Sequence, residues 1–571
     1  MAACRSDPDG AACAEALKHV KNPYWLGDQP ALTQASGWLD AWTSAPSAYA
    51  VAAASTDDVA AAVDFARAHD LRLVVKGGGH SYHGTSNAPD SLLIWTRAMH
   101  EVVLHDAFTP DGCAGTVAPQ PAVSVGAGAI WMQVYDAVMT RAGRYVQGGG
   151  CMTVGVAGLV QSGGFGSFSK GFGLAAAGLL EAEVVTADGQ VRIANAGTNP
   201  DLFWALKGGG GGNFGVVTRL TLRTRALPPT LGVVFGTIQA HSDEAFRRLT
   251  ARILGFYGER LFNPHWGEQI RLEPDNTLRI SMVFQGLTRT EAEDAWGPFV
   301  DWVDDAPQDL AWVTPLTIED LPARQFWDAE ALAHVAPGRI IADDRPDARA
   351  GSFLWAGNIV EAGQFFHGYY SRWLPASLLA DDRREALVDT LVAGSRHWGI
   401  QVHFNKGLGG APPAEIAAAR DTAMNPAVLD AFAMAFVIAE GPPAYPDMPG
   451  PEADREAELT TARRNAAAVQ RAGEALTALV PKPGSYVSES DFFIRDWAEA
   501  FWGSNVPRLT AVKQQYDPDG LFVVHHGVGS EAWDADGFTR VADGGGPPDS
   551  GGPTDGGAEP GGAERGAGAG P

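Results

Sequence analysis

The chain has 571 residues, 45% hydrophobic and 19% charged, enough for a large core and for more than one compact unit. Its formal net charge of −25 at pH 7 excludes a nucleic-acid footprint, disfavours an anionic membrane surface and favours neutral or cationic small molecules over anions. No apolar run approaches the ~20 residues of a membrane span, no basic-then-apolar leader is visible, and four cysteines are too few for a disulfide scaffold.

Residues 1–44 read as an extension, in which Cys4 and Cys13 close a small loop if the compartment is oxidising. At Ser55, STDDVAAAVDFARAHD joins a cap signal to helix-period apolar residues. The strand LRLVV follows and runs into the loop Lys76-Gly77-Gly78-Gly79-His80-Ser81-Tyr82, with Gly84 just beyond. Three glycines after a strand free the backbone to turn sharply and to cradle a phosphate on its N–H groups. Taken alone, the better reading is a tight loop with a hydrogen-bonded surface histidine.

Next come the strand SLLIW, the strand and turn AVSVGAGA, and the helical stretch IWMQVYDAVMTRAG. The segment Gly148-Gly149-Gly150-Cys151-Met152-Thr153-Val154-Gly155-Val156-Ala157-Gly158, then Gly163-Gly164-Phe165-Gly166, carries too much glycine for ordinary helix or strand. It reads as backbone wrapped around a flat or phosphorylated group. Cys151 within it is a buried structural thiol or a reactive one, and alone the structural reading is the better.

LLEAEVVTADGQVRIA reads as a hairpin around Ala187-Asp188-Gly189. Gly208–Gly212 lead through Asn213-Phe214-Gly215 into the strand beginning Val216-Val217. A nicotinamide fingerprint needs its glycines between a strand and a helix, so that order argues against a Rossmann site. The histidine pairs His80/His83 and His525/His526 lack closed metal-site spacing.

Pro228-Pro229 mark a change of character. Strands such as LRISMVFQGL and GIQVHFNKGL alternate with long helical stretches, which predicts an antiparallel sheet with helices over one face. Its polar candidates for a pocket are His265, Glu268, Gln285, Trp355, Tyr369, Gln401, His403, Asn405 and Asp430. Alternation with Val402 and Phe404 places His403 and Asn405 on one face. The stretch from about Gly544 onward is Gly/Pro-rich and reads as a disordered tail.

Together, VVKGGGHSYHGTS, VSVGAGAIWMQVYDAV, GGGCMTVGVAGLVQSGGFG, NPDLFWALKGGGGGNFGVVT and WAEAFWGSNVPRLTAVKQQYDPDGLF resemble the vanillyl-alcohol oxidase/p-cresol methylhydroxylase superfamily. The closer similarity is to its berberine-bridge-enzyme-like branch, which includes bacterial oligosaccharide and aclacinomycin oxidases. The likeness covers residues 45–225 and 485–530 well and the middle loosely.

The resemblance implies an α+β fold with FAD as cofactor. A two-subdomain FAD-binding unit spans 45–226, a substrate-binding unit 227–484, and a segment 485–541 returns to the first unit, with 542–571 as tail. It implies covalent attachment of FAD through His80 and Cys151. Contacts fall to Gly77, Gly78, Gly79, Ser81 and Gly84; to Gly150, Thr153, Val154, Gly155, Gly158, Gly163, Gly164 and Gly166; and to Asn213, Phe214, Gly215, Val216 and Val217.

It also implies that Tyr486 is the base of a Y-x-N segment, although Ser488 stands here in the asparagine's place. Where relatives carry Ala-Asp-Asn after the glycine run, this chain has Ala176-Ala177-Gly178. Val154 is similar to the valine of oxidases, which leaves room for oxygen.

The expected function is therefore an oxidase that takes hydride from a sugar or secondary-metabolite alcohol and reduces oxygen to peroxide. The alternatives are a flavin dehydrogenase or oxidative cyclase, and a non-catalytic binding protein on the same fold. The expected partners are a small substrate and oxygen. The cytoplasm is the default location with secretion left open, and oligomeric state is unassigned.

Overall fold

A computed structural model describes residues 2–449, 452–482, 484–534 and 539–541. The tail read as disordered lies outside them. The predicted helix after Ser55 runs Thr56–Ala68. Ser55 Oγ accepts the Asp58 N–H while the Asp58 carboxylate accepts the Ser55 N–H, the reciprocal cap expected of that sequence. The helix covers a parallel three-stranded sheet of Tyr49–Ala52, Ser91–Trp95 and Arg72–Lys76, in that spatial order.

A second, antiparallel sheet follows. Its order is Val191–Asn195, Leu179–Val185, Val216–Ala226, Gln120–Gly126, Val102–Phe108, with Arg144–Val146 on the far end of Val216–Ala226. The hairpin is where the alternation put it, with Gly189 at φ +76°. IWMQVYDAVMTRAG starts as the α-helix Trp131–Tyr135 and loosens into a π-helix over Asp136–Arg141. The glycine-dense segment holds a short helix after all, Val156–Gln161. That stretch, VAGLVQ, carries a single glycine beside Ala, Leu and Gln, and a side chain at Gly158 would meet nothing within 4 Å.

The third sheet has nine strands, from Leu310–Pro322 through Thr230–Ala240, Thr277–Gln285, Trp266–Leu272, Ile400–His403, Ala431–Gly441 and Phe365–Pro375 to Gly37–Trp38 and Trp42–Thr43. One face buries Ile270, Ile280, Val402 and Val437 under the helices Asp243–Phe256, Arg289–Asp304, Asp381–Ser395 and Glu452–Leu479. The other face is turned toward the glycine-rich segments. The region read as a mere extension completes this sheet, because Gly37–Trp38 pairs in parallel with Phe365–Phe366. Cys4 and Cys13 are joined in a disulfide, and Cys113 is buried and free.

Buried ammonium groups tie these parts together. Lys170 is fully buried and donates to the carbonyls of Gly407, Gly409 and Phe432 at 3.1, 2.7 and 2.9 Å. Lys513 donates to the carbonyls of Asn213 and Phe522 at 2.7 and 2.5 Å and to Asp517 at 2.6 Å. A buried carbonyl left without a donor costs far more than a hydrogen bond gained. Lys170→Met fits the volume but strands three carbonyls, so it should lower stability by about 2–4 kcal/mol in denaturant unfolding.

Candidate active site

The site is built from backbone first. The strand Arg72–Lys76 ends in Lys76, whose buried ammonium donates to the carbonyls of Gln29, Pro30 and Leu32 at 3.1, 2.6 and 2.9 Å. The Gln34 N–H donates to the Gly79 carbonyl at 2.9 Å, which fixes the next turn. Gly79 and Gly84 lie in the left-handed region, at φ +75° and +72°. A Cβ at Gly78 would stand 2.6 Å from the Gly155 nitrogen and 3.1 Å from the Thr153 carbonyl. Only glycine allows these two segments to meet.

That approach brings the two nucleophiles together. His80 Nε2 lies 3.0 Å from Thr153 Oγ1, and Cys151 Sγ lies 3.8 Å from the same oxygen. Burial, and then the charge of Arg97, lower His80 to about 3, so its imidazole is neutral at ordinary pH. Burial, and then the Glu361 carboxylate, raise Cys151 to about 12, against hydrogen bonds from Thr153 and Val154.

Around His80 a cleft is lined by Gly77, Gly78, Gly79, Ser81, Gly84, Val154, Gly155, Gly158, Asn213, Gly215 and Val217, all expected from the sequence. Gly150 sits at its margin, its side facing Ser167 Oγ and Glu268 Oε1. Thr153, Phe214, Val216, Gly163, Gly164 and Gly166, and Cys151 itself, are not among the residues that line it. Phe214 and Val216 turn into the core, each 1% exposed. Gly163, Gly164 and Gly166 serve close packing, where a Cβ would strike Met424, Leu159 and the Gly148 carbonyl.

The far wall is Phe522–Gly527, whose histidines the sequence offered only as a metal pair. His525 stacks on Phe492 at 3.7 Å and lies 3.8 Å from His526, which stacks on Trp497 at 5.4 Å. His83 stands edge-on to both and is bonded to the Ser490 carbonyl at 3.1 Å. His526 is held at φ +53°, and its buried Nδ1 has no partner.

Above the inner end of the cleft lies the open face of the nine-stranded sheet. Tyr369, Gln401, His403 and Asn405 share it, as alternation predicted for the last two. Glu268 reaches it from a strand position at φ +64°, unusual for a side chain so large. Its Oε1 accepts from Asn405 Nδ2 at 3.4 Å, and burial raises its carboxyl. The other candidates lie elsewhere. His265 bonds the Gln285 carbonyl, Gln285 bonds the Pro264 carbonyl, Trp355 packs on Phe326 and Trp327, and Asp430 is exposed.

Tyr486 is 4% exposed and its phenol oxygen accepts the Gly164 N–H at 3.3 Å. Burial, and then the charge of Glu489, push that phenol up, while Ser488 and the Gly164 amide oppose them. Sequence reading missed Lys406, Glu489 and Glu361. Lys406 continues the His403-x-Asn405 run and pairs with Glu489, three residues past Tyr486. Glu361 carries no local signal.

The residues present fit a flavin dinucleotide: a side-chain-free backbone cradle, amide N–H groups, a buried imidazole nitrogen awaiting a partner, and a neutral histidine beside a thiol. A family model for an FAD-binding domain matches residues 46–195, and one for berberine and berberine-like proteins matches 485–529. FAD-linked oxidoreductase malF of Malbranchea aurantiaca is 31% identical over 558 residues, covering 93% of this chain and 87% of its own.

The chain belongs to the berberine-like FAD-linked oxidoreductases.

Other relatives of this FAD-linked oxidoreductase are also fungal rather than bacterial. They include easE of Arthroderma benhamiae, 32% identical over 86% of this chain and 90% of its own. The VAO-type flavoprotein MtVAO615 of Myceliophthora thermophila C1 shares the fold, with TM-score 0.72 and 24% identity over 94% of this chain and 92% of that one. So does glucooligosaccharide oxidase from Acremonium strictum, which carries a 6-S-cysteinyl, 8α-N1-histidyl FAD, with TM-score 0.63 and 19% identity over 91% and 99%. Among the described residues no helix is long and apolar enough to cross a membrane, and no group of three or more His, Cys, Asp and Glu is arranged to hold a metal.

The histidine wall makes the fold acid-sensitive. Burial lowers His83 to about 3, His525 to about 4 and His526 to about 2, with His525 adding to the effect on both others. The unfolded chain binds protons near 6.5 where the folded chain does not, so stability is full above that pH and falls as pH drops. Each histidine contributes a slope of up to about 1.4 kcal/mol per pH unit. Melts from pH 7 to 4 should show this loss, and His526→Gln should flatten it.

Proposed function

We propose that this oxidoreductase holds FAD by two bonds, from His80 and from Cys151, and oxidises an alcohol with oxygen as the final acceptor. The observation that supports it most is the convergence of the neutral His80 imidazole and the Cys151 thiol on one Thr153 hydroxyl. Cofactor chemistry is then divided simply. FAD, held along the His80 loop and the Gly155 segment, would supply the hydride-accepting and oxygen-reducing chemistry.

The chain's own residues position and deprotonate. Tyr486 takes the hydroxyl proton, its oxygen held in place by the Gly164 N–H. The phenol is raised and therefore protonated at ordinary pH, so it takes the substrate's proton only after releasing its own to solvent. Phe165, edge-on at 5.1 Å, keeps the Tyr486 ring in that plane. Val154 lines the cleft beside Gly155 and is small enough to leave oxygen a path.

Purified protein should be yellow, and the colour should stay with the chain through acid precipitation. His80→Ala and Cys151→Ala should each keep one bond and precipitate coloured, whereas the double variant should release all its flavin to the supernatant. Complete release from the wild type sinks the two-bond reading. Separately, Tyr486→Phe should lower kcat by roughly 10²–10⁴-fold with flavin content unchanged. Peroxide release in air on alcohol substrates measures the rate, and the visible flavin band measures the flavin content.

A further inference from the structure

One ion pair lines the cofactor cleft. Of the lining residues, Arg72, Lys406 and Glu489 carry full charges. Arg72 begins the strand that leads into the histidine loop. Lys406 and Glu489 pair with each other, and they line the cleft together with Tyr486, Val487 and Ser488. The Glu489 N–H donates to the Tyr486 carbonyl at 2.9 Å, so the carboxylate and the phenol belong to one tight turn.

Both halves of the pair are fastened from behind. Ser371 and Trp373 lie two apart on the strand Phe365–Pro375 and so share one face. Ser371 Oγ donates to the Glu489 carbonyl at 2.5 Å, and Trp373 Nε1 donates to the Lys406 carbonyl at 3.0 Å. Phe436 stands opposite Ser371 in the sheet, and the Lys406 ammonium lies 4.8 Å from the centre of its ring. The two side chains are only 13% and 21% exposed. An ion pair out in solvent contributes little and is not held this way. An ammonium has three donor hydrogens and a carboxylate about four acceptor positions, so pairing leaves each with capacity toward the cleft.

We propose that Lys406 and Glu489 hold the pyrimidine edge of the flavin, and that the charge of Lys406 favours the reduced ring. This rests on the reading of the cleft as a flavin site. Attachment through His80 and Cys151 takes the benzenoid edge, which carries the 8α carbon and C6. The edge left over presents two carbonyl oxygens on either side of an N–H. An ammonium donates to such a carbonyl and a carboxylate accepts such an N–H, so a lysine–glutamate pair matches that edge in both senses. A hydride brings two electrons and one proton, so it turns a neutral ring into an anion. A cation beside that anion stabilises it, and a carboxylate there opposes it. The two halves of the pair therefore act on the ring with opposite sign.

The test uses the flavin-loaded protein and reads the ring rather than turnover. One measurement is the two-electron midpoint potential. The other is a titration with sulfite, an anion that adds to oxidised flavin and bleaches its visible band. Lys406→Met should lower the potential by about 30 mV, which is a tenfold loss of preference for the reduced ring, and should weaken sulfite about tenfold. Glu489→Gln should raise the potential and tighten sulfite, and Lys406→Arg should stay near the wild type. A pair that only braced the fold, or only held the substrate, would not move the ring in opposite directions. If Lys406→Met does not fold, Glu489→Gln reads the same interaction alone. If neither folds, the wild type decides, because sulfite must bleach it. Shifts of one sign in both variants, shifts below about twofold in both, or a wild type that sulfite leaves coloured overturn the assignment. A colourless wild type overturns the flavin reading instead, and is seen before any titration.

Discussion

Everything at this site depends on two stretches of backbone meeting where neither has room for a side chain. Gly78 and Gly155 approach so closely that a Cβ on either would overlap the other chain. No side-chain interaction can substitute for that contact, because it is steric permission rather than attraction. Once it is made, Thr153 stands between His80 and Cys151, and the two nucleophiles no longer need separate scaffolds. A bulkier residue at either glycine would part the imidazole from the thiol before it disturbed anything else.

Attraction is supplied by amines on carbonyls. Lys76, Lys170 and Lys513 are each buried, and each gathers backbone oxygens from segments distant in the sequence. Lys76 fastens residues 29–32 behind the histidine loop. Lys170 fastens the nine-stranded sheet to the glycine-rich segment. Lys513 fastens the 522 turn to Asn213. A lysine used this way is a spacer with three directed bonds, and it costs desolvation that only several carbonyls together offset. The three explain why such glycine-rich loops hold one shape in an otherwise apolar surrounding.

Much of this was legible in the sequence where the cause is local. The Ser55–Asp58 cap, the Gly189 hairpin and the alternation that turns His403 and Asn405 to one face each depend on residues a few positions apart. The glycine runs announced close approach but not to what. That is why Gly163, Gly164 and Gly166 read as ligand contacts, while in the structure they lie close against Met424, Leu159 and the Gly148 carbonyl. Glu361 was invisible because nothing near it in sequence marks it. Its neighbours Cys151, Tyr82 and Tyr369 come from other segments. Glu268 was a named candidate, but its left-handed backbone follows from strand register and from the Phe404 N–H on its carbonyl, which no local pattern encodes. The family likeness supplied the rest, namely the expectation that scattered glycines, one histidine and one cysteine belong to a single site.

The cleft takes its parts from Gln29 behind the loop to Gly527 on the far wall, so it has a birth order. A ribosome delivers the histidine loop early and the wall that closes over it last, with several hundred residues of translation between them. Until that wall arrives, Asn213 lacks the Val528 N–H it later accepts at 3.1 Å, and Lys513 has no turn to fasten. Nascent chains therefore expose an open trough, and the cleft closes only once its last wall has been made.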